Sequence, residues 1–577
     1  MFWTEDSGDM AGKTGNAKII EQFLADGMNV MFGNPGTVEQ GFLDQLRNYP
    51  EMRYFLTLQE SIAVLTADGY ARASQKPTLV QLHSSPGIGN AVGALYQAKR
   101  GHSPLVVIGG DAGVKYMNMD AQMANDLVAM MAPVTKYATI VLDPRSLLRT
   151  LRRAIKIAGT APMGPVYVCL PMDVLDQINH EEVLPTLIPS TRTAPDRSDI
   201  KVIAAGLLKA KNPVFYIGDG VAYSNATKEL GDLATLIGAP VYGVEFGDFI
   251  MDTTHPLYQG TTGHMFGSYS KEITQKGDYN LIVGTYMLPE VFPELGEVFH
   301  PDATVVHIDL NAYEIAKNHR VDIGIVSDPK MTITALIAEV MLIQSADFKS
   351  KAESRLKVFA EIKKQAHQKE LALDNMLDKD GPIQMPMFTQ ILAKKLPQDY
   401  VIFDEALTNS PAITRYIPPK TPGDIFYTRG GSLGIGIPGA IGAKLASPEK
   451  LVIGFTGDGG SMYTIQALWS AVRHKTNAKF VVCNNGAYKL LDLNIDHYWE
   501  EQGIEKHDFP LPFDLSFPAL NFAEIAASMG VESVRVETHD QIESAVDRMI
   551  AFDGPFLIDL VLKSESNPEI VHHTCRA

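Results

Sequence analysis

The stretch Thr456-Gly457-Asp458-Gly459-Gly460-Ser461 joins an apolar run with strand character, residues 451–455, to a run with helical spacing, residues 465–472. A glycine turn between strand and helix lets backbone N–H groups approach phosphate oxygens closely, and glycine tolerates both the approach and the positive φ such turns use. Asp458 adds a hard oxygen ligand. A second apolar run, residues 480–483, leads into Asn484-Asn485-Gly486, and Asn485 lies 27 residues after Asp458. Two neighbouring parallel strands would bring both side chains to one sheet edge. There a carboxylate, an amide oxygen, a backbone carbonyl and diphosphate oxygens make the octahedral oxygen shell that Mg²⁺ prefers. A lone Gly-Asp-Gly is only a tight turn; its pairing with a second strand end is what points to a metal ion and a diphosphate.

The elements that must position these residues follow from the order of apolar runs. Helical spacing at Ile19, Ile20, Phe23 and Leu24 precedes a strand at 30–32 and the turn Gly33-Asn34-Pro35-Gly36-Thr37. A short apolar segment at 54–58, a helix at 60–73, a strand at 78–82, a turn at 83–87, a Gly/Ala-rich helix from Asn90, and strands at 105–108 and 166–170 complete a first unit. A proline-containing linker at 184–199 leads to a second unit, with strand runs at 213–217, 241–244, 279–283, 305–310 and 325–326. Residues 345–380 are rich in Lys, Glu, Ala and Gln and read as a long exposed helix or helical linker. A third unit carries runs at 400–403, 451–455, 480–483 and 556–561. Strands alternating with helices predict α/β architecture, with three doubly wound parallel-sheet domains. The expected boundaries are 13–186, 198–344, a linker at 345–380, 381–565, and a tail at 566–577.

The chain has 577 residues, too many for one core, and is 45% hydrophobic and 20% charged, the composition of an ordinary globular enzyme. A net charge of −17 argues against nucleic acid or an anionic membrane as partner. Cys169, Cys483 and Cys575 stand far apart, so no disulfide framework or zinc site is implied. The first fifteen residues are acidic and polar and lack the apolar core of a signal peptide, and no run of about 18 apolar residues occurs. A cytoplasmic protein is expected. Residues 571–577, with His572 and His573, read as an exposed tail.

The Gly-Asp-Gly turn, the gap after it and the Asn-Asn pair together resemble the signature of the thiamine diphosphate enzymes. The first unit narrows the resemblance. Phe32-Gly33-Asn34-Pro35-Gly36, Leu58-Gln59-Glu60, Ala67-Asp68-Gly69-Tyr70-Ala71-Arg72, and Leu82-His83-Ser84 with Gly87-Ile88-Gly89-Asn90-Ala91 look like the benzoylformate decarboxylase branch. This branch belongs to the 2-oxo acid decarboxylase and acetohydroxyacid synthase group. The resemblance spans residues 17–563 and is weakest in the middle. It implies a pyrimidine-binding domain, a middle domain and a diphosphate-binding domain. It also implies thiamine diphosphate and Mg²⁺ as cofactors, and a homotetramer, a dimer of dimers with each active site between two subunits.

On that resemblance Asp458, Asn485 and the carbonyl of Ala487 hold Mg²⁺, while Thr408, Gly457, Gly459, Gly460 and Ser461 surround the diphosphate. Leu433, in Gly431-Ser432-Leu433-Gly434, wedges the cofactor into a bent shape, and the Gly431 carbonyl accepts from its aminopyrimidine. Glu60 bonds to the aminopyrimidine ring and promotes the imino tautomer that removes the thiazolium C2 proton; read locally, it is a helix-start charge favourable to the dipole. That role needs a protonated carboxyl, hence burial against an apolar wall. His83 matches an active-site histidine that orients a substrate carboxylate or shuttles protons. Thr37 falls where the relative has a substrate-binding serine.

The sequence also departs from the relative. A second active-site histidine is missing from the middle-domain stretch 284–291, so either His264 enters the site in its place or the role is absent. Residues 490–515 are longer and more aromatic than in the relative and form either a lid or a pocket wall. Leu407 and Leu490 replace smaller or polar pocket residues. The expected function is decarboxylation of a 2-oxo acid through a C2 ylid and an enamine. The alternative is a carboligase or lyase acting on 2-hydroxyketones, of the acetolactate synthase or benzaldehyde lyase kind, with an aldehyde among its substrates. A non-catalytic subunit would be expected to lack Glu60 or the metal ligands, and both are present. No flavin signature is evident in the middle domain.

Overall fold

Short runs of β-branched and aromatic residues, buried on both faces, alternate with helices throughout the chain, and every strand pairing among the described residues is parallel. The computed structural model describes residues 12–244, 247–248 and 250–564. The expectations for the start of the chain rest largely on residues 1–11, and these, the tail with His572 and His573, and Cys575 lie outside the described residues.

The first sheet contains β1 (Val30–Gly33), β2 (Arg53–Leu56), β3 (Thr78–Leu82), β4 (Leu105–Asp111), β5 (Tyr137–Ile140) and β6 (Val166–Pro171), in the order 2-1-3-4-6-5. The second contains β7 (Pro213–Ile217), β8 (Val241–Gly243), β9 (Tyr258–Thr261), β10 (Tyr279–Val283), β11 (Thr304–Asp309) and β12 (Ile323–Val326), in the order 12-11-10-7-8-9. The third contains β13 (Tyr400–Glu405), β14 (Ile425–Tyr427), β15 (Leu451–Gly457), β16 (Lys479–Asn484), β17 (Glu532–Val536) and β18 (Phe556–Val561), in the order 14-13-15-16-18-17. The third sheet repeats the topology of the first, strand for strand. The middle sheet instead has the dinucleotide-fold order.

Two expected turns are helical. The segment after β3 is not a turn followed by a helix from Asn90: one helix, Ser84–Arg100, starts directly behind His83. The glycine turn after β15 is itself a one-turn helix, Asp458–Ser461, separated by a bend from the helix Ala467–Arg473. The charged segment forms the 30-residue helix Ala346–Asn375, and its side chains strap it to both neighbours. Lys363 donates to the carbonyls of Thr253, His255 and Tyr258, while Asp374 accepts from Arg415 and Tyr416. Cys169 and Cys483 are buried free thiols. No helix among the described residues is long and apolar enough to cross a membrane.

One apolar core joins the first and third domains, because the helix Glu60–Ser74 lies directly on the helix Gly436–Ala446. The crossing is close enough that a Cβ on Gly442 would overlap the Thr66 carbonyl and come within 2.6 Å of the Tyr70 nitrogen. Backbone cannot retreat as a flexible side chain can, so Gly442→Ala is expected to destabilise the fold by about 3 kcal/mol. The thermal unfolding midpoint reads this out; an unchanged midpoint would show that the two helices part without cost.

Candidate active site

The ends of β2, β1 and β3, adjacent in the first sheet, carry the first group of side chains. Glu60 opens the helix after β2, whose N-cap Gln59 accepts from the backbone N–H groups of Ser61 and Ile62 at 2.6 and 3.3 Å. Its carboxylate is 7% exposed. Oε1 accepts from the Asn34 amide and Oε2 from the Asn90 amide, each at 3.0 Å. Among the described residues no cation pairs with it. The expected apolar wall is therefore partly polar: two neutral amides offset the cost of burying the carboxyl, and each oxygen keeps lone-pair capacity for a further donor.

His83 stands at the N-cap position of the next helix, with Nδ1 2.9 Å from Glu39 Oε2. The other oxygen of Glu39 accepts from the Gly110 N–H at 3.1 Å. Burial raises the pKa of Glu39, and the His83 ring opposes that shift. With Nδ1 held by Glu39, a neutral imidazole keeps Nε2 as its acceptor. Thr37, exposed, begins the single turn Thr37–Glu39, so the hydroxyl and the carboxylate behind His83 leave the same loop.

The third sheet positions the second group at the corresponding edge. β15 pairs with β16 so that Gly457 lies opposite Cys483, which sets Asp458 and Asn485 side by side just beyond the strands. Asp458 is buried, with Oδ1 accepting from Gly459 N–H at 2.7 Å and Oδ2 from Gly486 N–H at 2.6 Å. Burial raises its pKa, and four backbone N–H groups, those of Gly459, Gly486, Asn485 and Ala487, pull it back down. Asn485 Oδ1 accepts from Ala487 N–H at 3.1 Å. Its neighbour faces the other way: Asn484 donates to Asp559 at 2.9 Å and to the Leu520 carbonyl at 3.2 Å. The alternation of a strand thus gives one asparagine to the core and one to the edge.

Thr408 follows β13 in the turn Leu407–Asn409, and Leu433, half-buried, sits in a turn bounded by Gly431 (φ 69°) and Gly434 (φ 97°). Gly431 and Gly457 have open space where a side chain would stand, whereas Ser461 uses its hydroxyl to bond the Asp458 carbonyl at 2.8 Å. Among the described residues no cluster of three or more His, Cys, Asp or Glu could hold a metal by side chains alone. The available donors are one carboxylate, one amide and backbone carbonyls, beside glycines that leave room. That set fits a hard cation completed by diphosphate oxygens, and it does not fit a thiophilic metal.

His264 lies in the middle domain, half-buried, with burial lowering its pKa so that the ring is neutral at pH 7. Its backbone carbonyl accepts from Val291 N–H at 3.2 Å. Two residues on, Phe266 packs on Phe292 and on His497, at 5.4 and 3.9 Å between ring centroids. His497 belongs to the helix Lys489–Gln502, which begins two residues after Ala487. Trp499 of that helix is buried against Phe509 and His507. The aromatic residues at 490–515 therefore pack the segment onto itself and onto the middle domain.

Within one chain, Thr37, Glu60 and His83 come together at one sheet edge, and Thr408, Gly431, Leu433, Gly457, Asp458, Gly459, Gly460, Ser461, Asn485 and Ala487 at another. No hydrogen bond or ion pair among the described residues joins the two groups. Sequence reasoning missed Glu39 behind His83 and assigned no role to Asn34 and Asn90, although both stand in the quoted motifs. It also missed Glu405, discussed below. Asn34 and Glu39 follow β1, Glu405 ends β13 and Asn90 lies inside the helix Ser84–Arg100, so a polar residue at or just after a strand end is the local signal that three of the four carry.

A buried acid on one doubly wound domain and an oxygen-donor cradle on a topologically identical one define an enzyme built around a diphosphate cofactor. Models of the thiamine pyrophosphate enzymes match three times: the N-terminal TPP binding domain over residues 13–130, the central domain over 200–336, and the C-terminal TPP binding domain over 408–560. A benzoylformate decarboxylase of Pseudomonas aeruginosa is 29% identical over 556 residues, covering 95% of this chain and 98% of that protein. The acetolactate synthase large subunit of Lactococcus lactis is 28% identical over 561 residues, covering 96% and 93%. Among solved structures, the thiamine diphosphate-dependent 4-hydroxybenzoylformate decarboxylase of Rhodococcus jostii superposes with a TM-score of 0.82 at 26% identity, covering 96% of this chain and 99% of that one. The chain belongs to the thiamine pyrophosphate enzymes, in the group of 2-oxo acid decarboxylases and acetolactate synthases, and its cofactor is thiamine diphosphate, which this group uses with Mg²⁺.

Proposed function

We propose that the protein decarboxylates a 2-oxo acid, with Glu60 and His83 managing protons at one side of the cofactor and Asp458 and Asn485 anchoring its diphosphate at the other. The observation that carries this reading is Glu60: a carboxyl 7% exposed, bonded to two neutral amides. A buried acid held this way can give and take a proton without first breaking an ion pair. Bound thiamine diphosphate supplies a thiazolium carbon that adds to the substrate carbonyl and accepts the electron pair left as CO₂ departs.

The rest of the work belongs to the chain. Asp458, Asn485 and the Ala487 carbonyl would hold Mg²⁺; Thr408, Gly457, Gly459, Gly460 and Ser461 would line the diphosphate; Leu433 and the Gly431 carbonyl would meet the rings. Thr37 donates to the substrate carboxylate, and His83, oriented by Glu39, moves a proton at Nε2. His264 stands two residues before Phe266, which packs against the helix after Ala487, and would be the second imidazole if that segment reaches the substrate.

Two copies of the chain complete the site. Leu58, two residues before Glu60, and Tyr463, two residues after Ser461, are 48% and 58% exposed. Apolar side chains beside catalytic groups support a covering subunit. A homo-oligomer, with the Glu60 group of one copy facing the Asp458 group of another, follows from this reading.

One observation favours a second outcome. The stretch 284–291 contains no histidine; its Glu290 is buried and bonded to Ser270, and its one exposed residue is the apolar Val291, followed by the exposed Phe292. Where no acid delivers a proton quickly to the substrate carbon that has lost CO₂, that carbon would bond to the carbonyl carbon of a second substrate, and a 2-hydroxyketone would leave in place of an aldehyde. Incubating the holoenzyme with a panel of 2-oxo acids, with and without aldehyde acceptors, and identifying products by mass spectrometry separates the two. Release of no CO₂ from any 2-oxo acid would overturn the proposal.

A further inference from the structure

The end of β13 carries a carboxylate that none of the roles above uses. Glu405 is 1% exposed and has no cationic partner among the described residues. Oε1 accepts from the Gly434 N–H, and Oε2 accepts from the Gly436 N–H at 2.6 Å and from the Thr456 hydroxyl at 3.3 Å. A Cβ on Gly460 would stand 3.1 Å from Oε1. The contacts lead to two places, the loop that ends at Gly436 and the end of β15. Gly434 closes the loop that presents Gly431 and Leu433, Thr456 and Gly460 flank Asp458, and Glu405 itself lies three residues before Thr408.

We infer that Glu405 is a positioning residue that sets the spacing of the three turns around the cofactor. Three donors, two from the loop that ends at Gly436 and one from the end of β15, converge on two oxygens of one buried side chain, so moving either segment breaks a bond that water cannot replace. The adjoining helix Gly436–Ala446 begins at one of these donors, and its N-terminal dipole favours an acceptor carrying negative charge. Glu405 touches neither the metal-seat residues nor the reacting atoms. It acts through Leu433 and Thr456, and the proposal rests on reading those turns as the cofactor cradle.

The test is Glu405→Gln, which keeps length and shape but turns an N–H₂ toward a donor N–H. Thiamine diphosphate with Mg²⁺ is titrated into apo-protein by calorimetry, alongside Asp458→Ala. The expected result is cofactor affinity about tenfold to a hundredfold weaker in Glu405→Gln. The near-ultraviolet circular dichroism of cofactor still bound at saturation should be altered, because Leu433 no longer holds the same shape beneath it. Thr456→Val removes one of the three donors and should weaken affinity less, by about fivefold; it serves as the readout if Glu405→Gln does not fold. Wild-type affinity and wild-type dichroism in whichever variant folds would overturn the inference while loss of binding in Asp458→Ala leaves the cradle intact. Unchanged affinity in Asp458→Ala as well would overturn the cradle itself.

Discussion

Asp458→Ala is expected to weaken the binding of thiamine diphosphate with Mg²⁺ by at least about a hundredfold, measured by calorimetry on apo-protein. The size of the effect follows from what the carboxylate does. It is the one formally charged donor among the three residues of the metal seat, and it also ties two loops, through Gly459 N–H at 2.7 Å and Gly486 N–H at 2.6 Å. Alanine removes the charge that meets the cation and releases both loops together. A thermal shift gives a second reading: cofactor at a hundred times its wild-type dissociation constant stabilises the wild type by about 2.7 kcal/mol and should stabilise the variant by no more than about 0.4 kcal/mol. Binding of normal affinity would mean that the Gly-Asp-Gly segment is only a turn.

How much of this was legible beforehand depended on whether a residue's surroundings were local. Central strands such as β6 and β7 are buried along their length and announce themselves as continuous apolar runs. The four strands absent from the apolar runs, β5, β9, β14 and β17, are all at sheet edges; β5, β9 and β17 are mostly half-buried and carry mixed sequences, while β14 is apolar but only three residues long. Asp458 and Asn485 were readable because their spacing encodes a strand, a crossover and a strand. The partners of Glu60 and His83 were not, because Asn34, Glu39 and Asn90 reach them from segments that follow other strands or lie further along a helix. Glu405 was hidden for the same reason: its three donors lie 29, 31 and 51 residues away along the chain. The start of the helix at Ser84 reads as a turn because Ser-Ser-Pro-Gly is a turn composition, yet proline is well tolerated in a first helical turn.

Glu60→Gln is expected to lower turnover by two to four orders of magnitude, roughly the worth of a positioned acid or base, while thiamine diphosphate and Mg²⁺ still bind. Binding survives because the metal seat lies at the edge of a different sheet and shares no partner with Glu60. Chemistry fails because an amide cannot pass a proton, and because its N–H₂ would meet the amide of Asn34 or Asn90, donor against donor. The loss should fall on kcat, with KM for the 2-oxo acid little changed, since the substrate contacts assigned to Thr37 and His83 stay in place. Glu60→Asp keeps the acid but withdraws it by one methylene, and intermediate activity is expected. Retained turnover in Glu60→Gln with cofactor bound would shift proton transfer to the Glu39–His83 pair, the other titratable couple at the same sheet edge, and would require the Glu60 carboxyl to be a structural partner of its two amides.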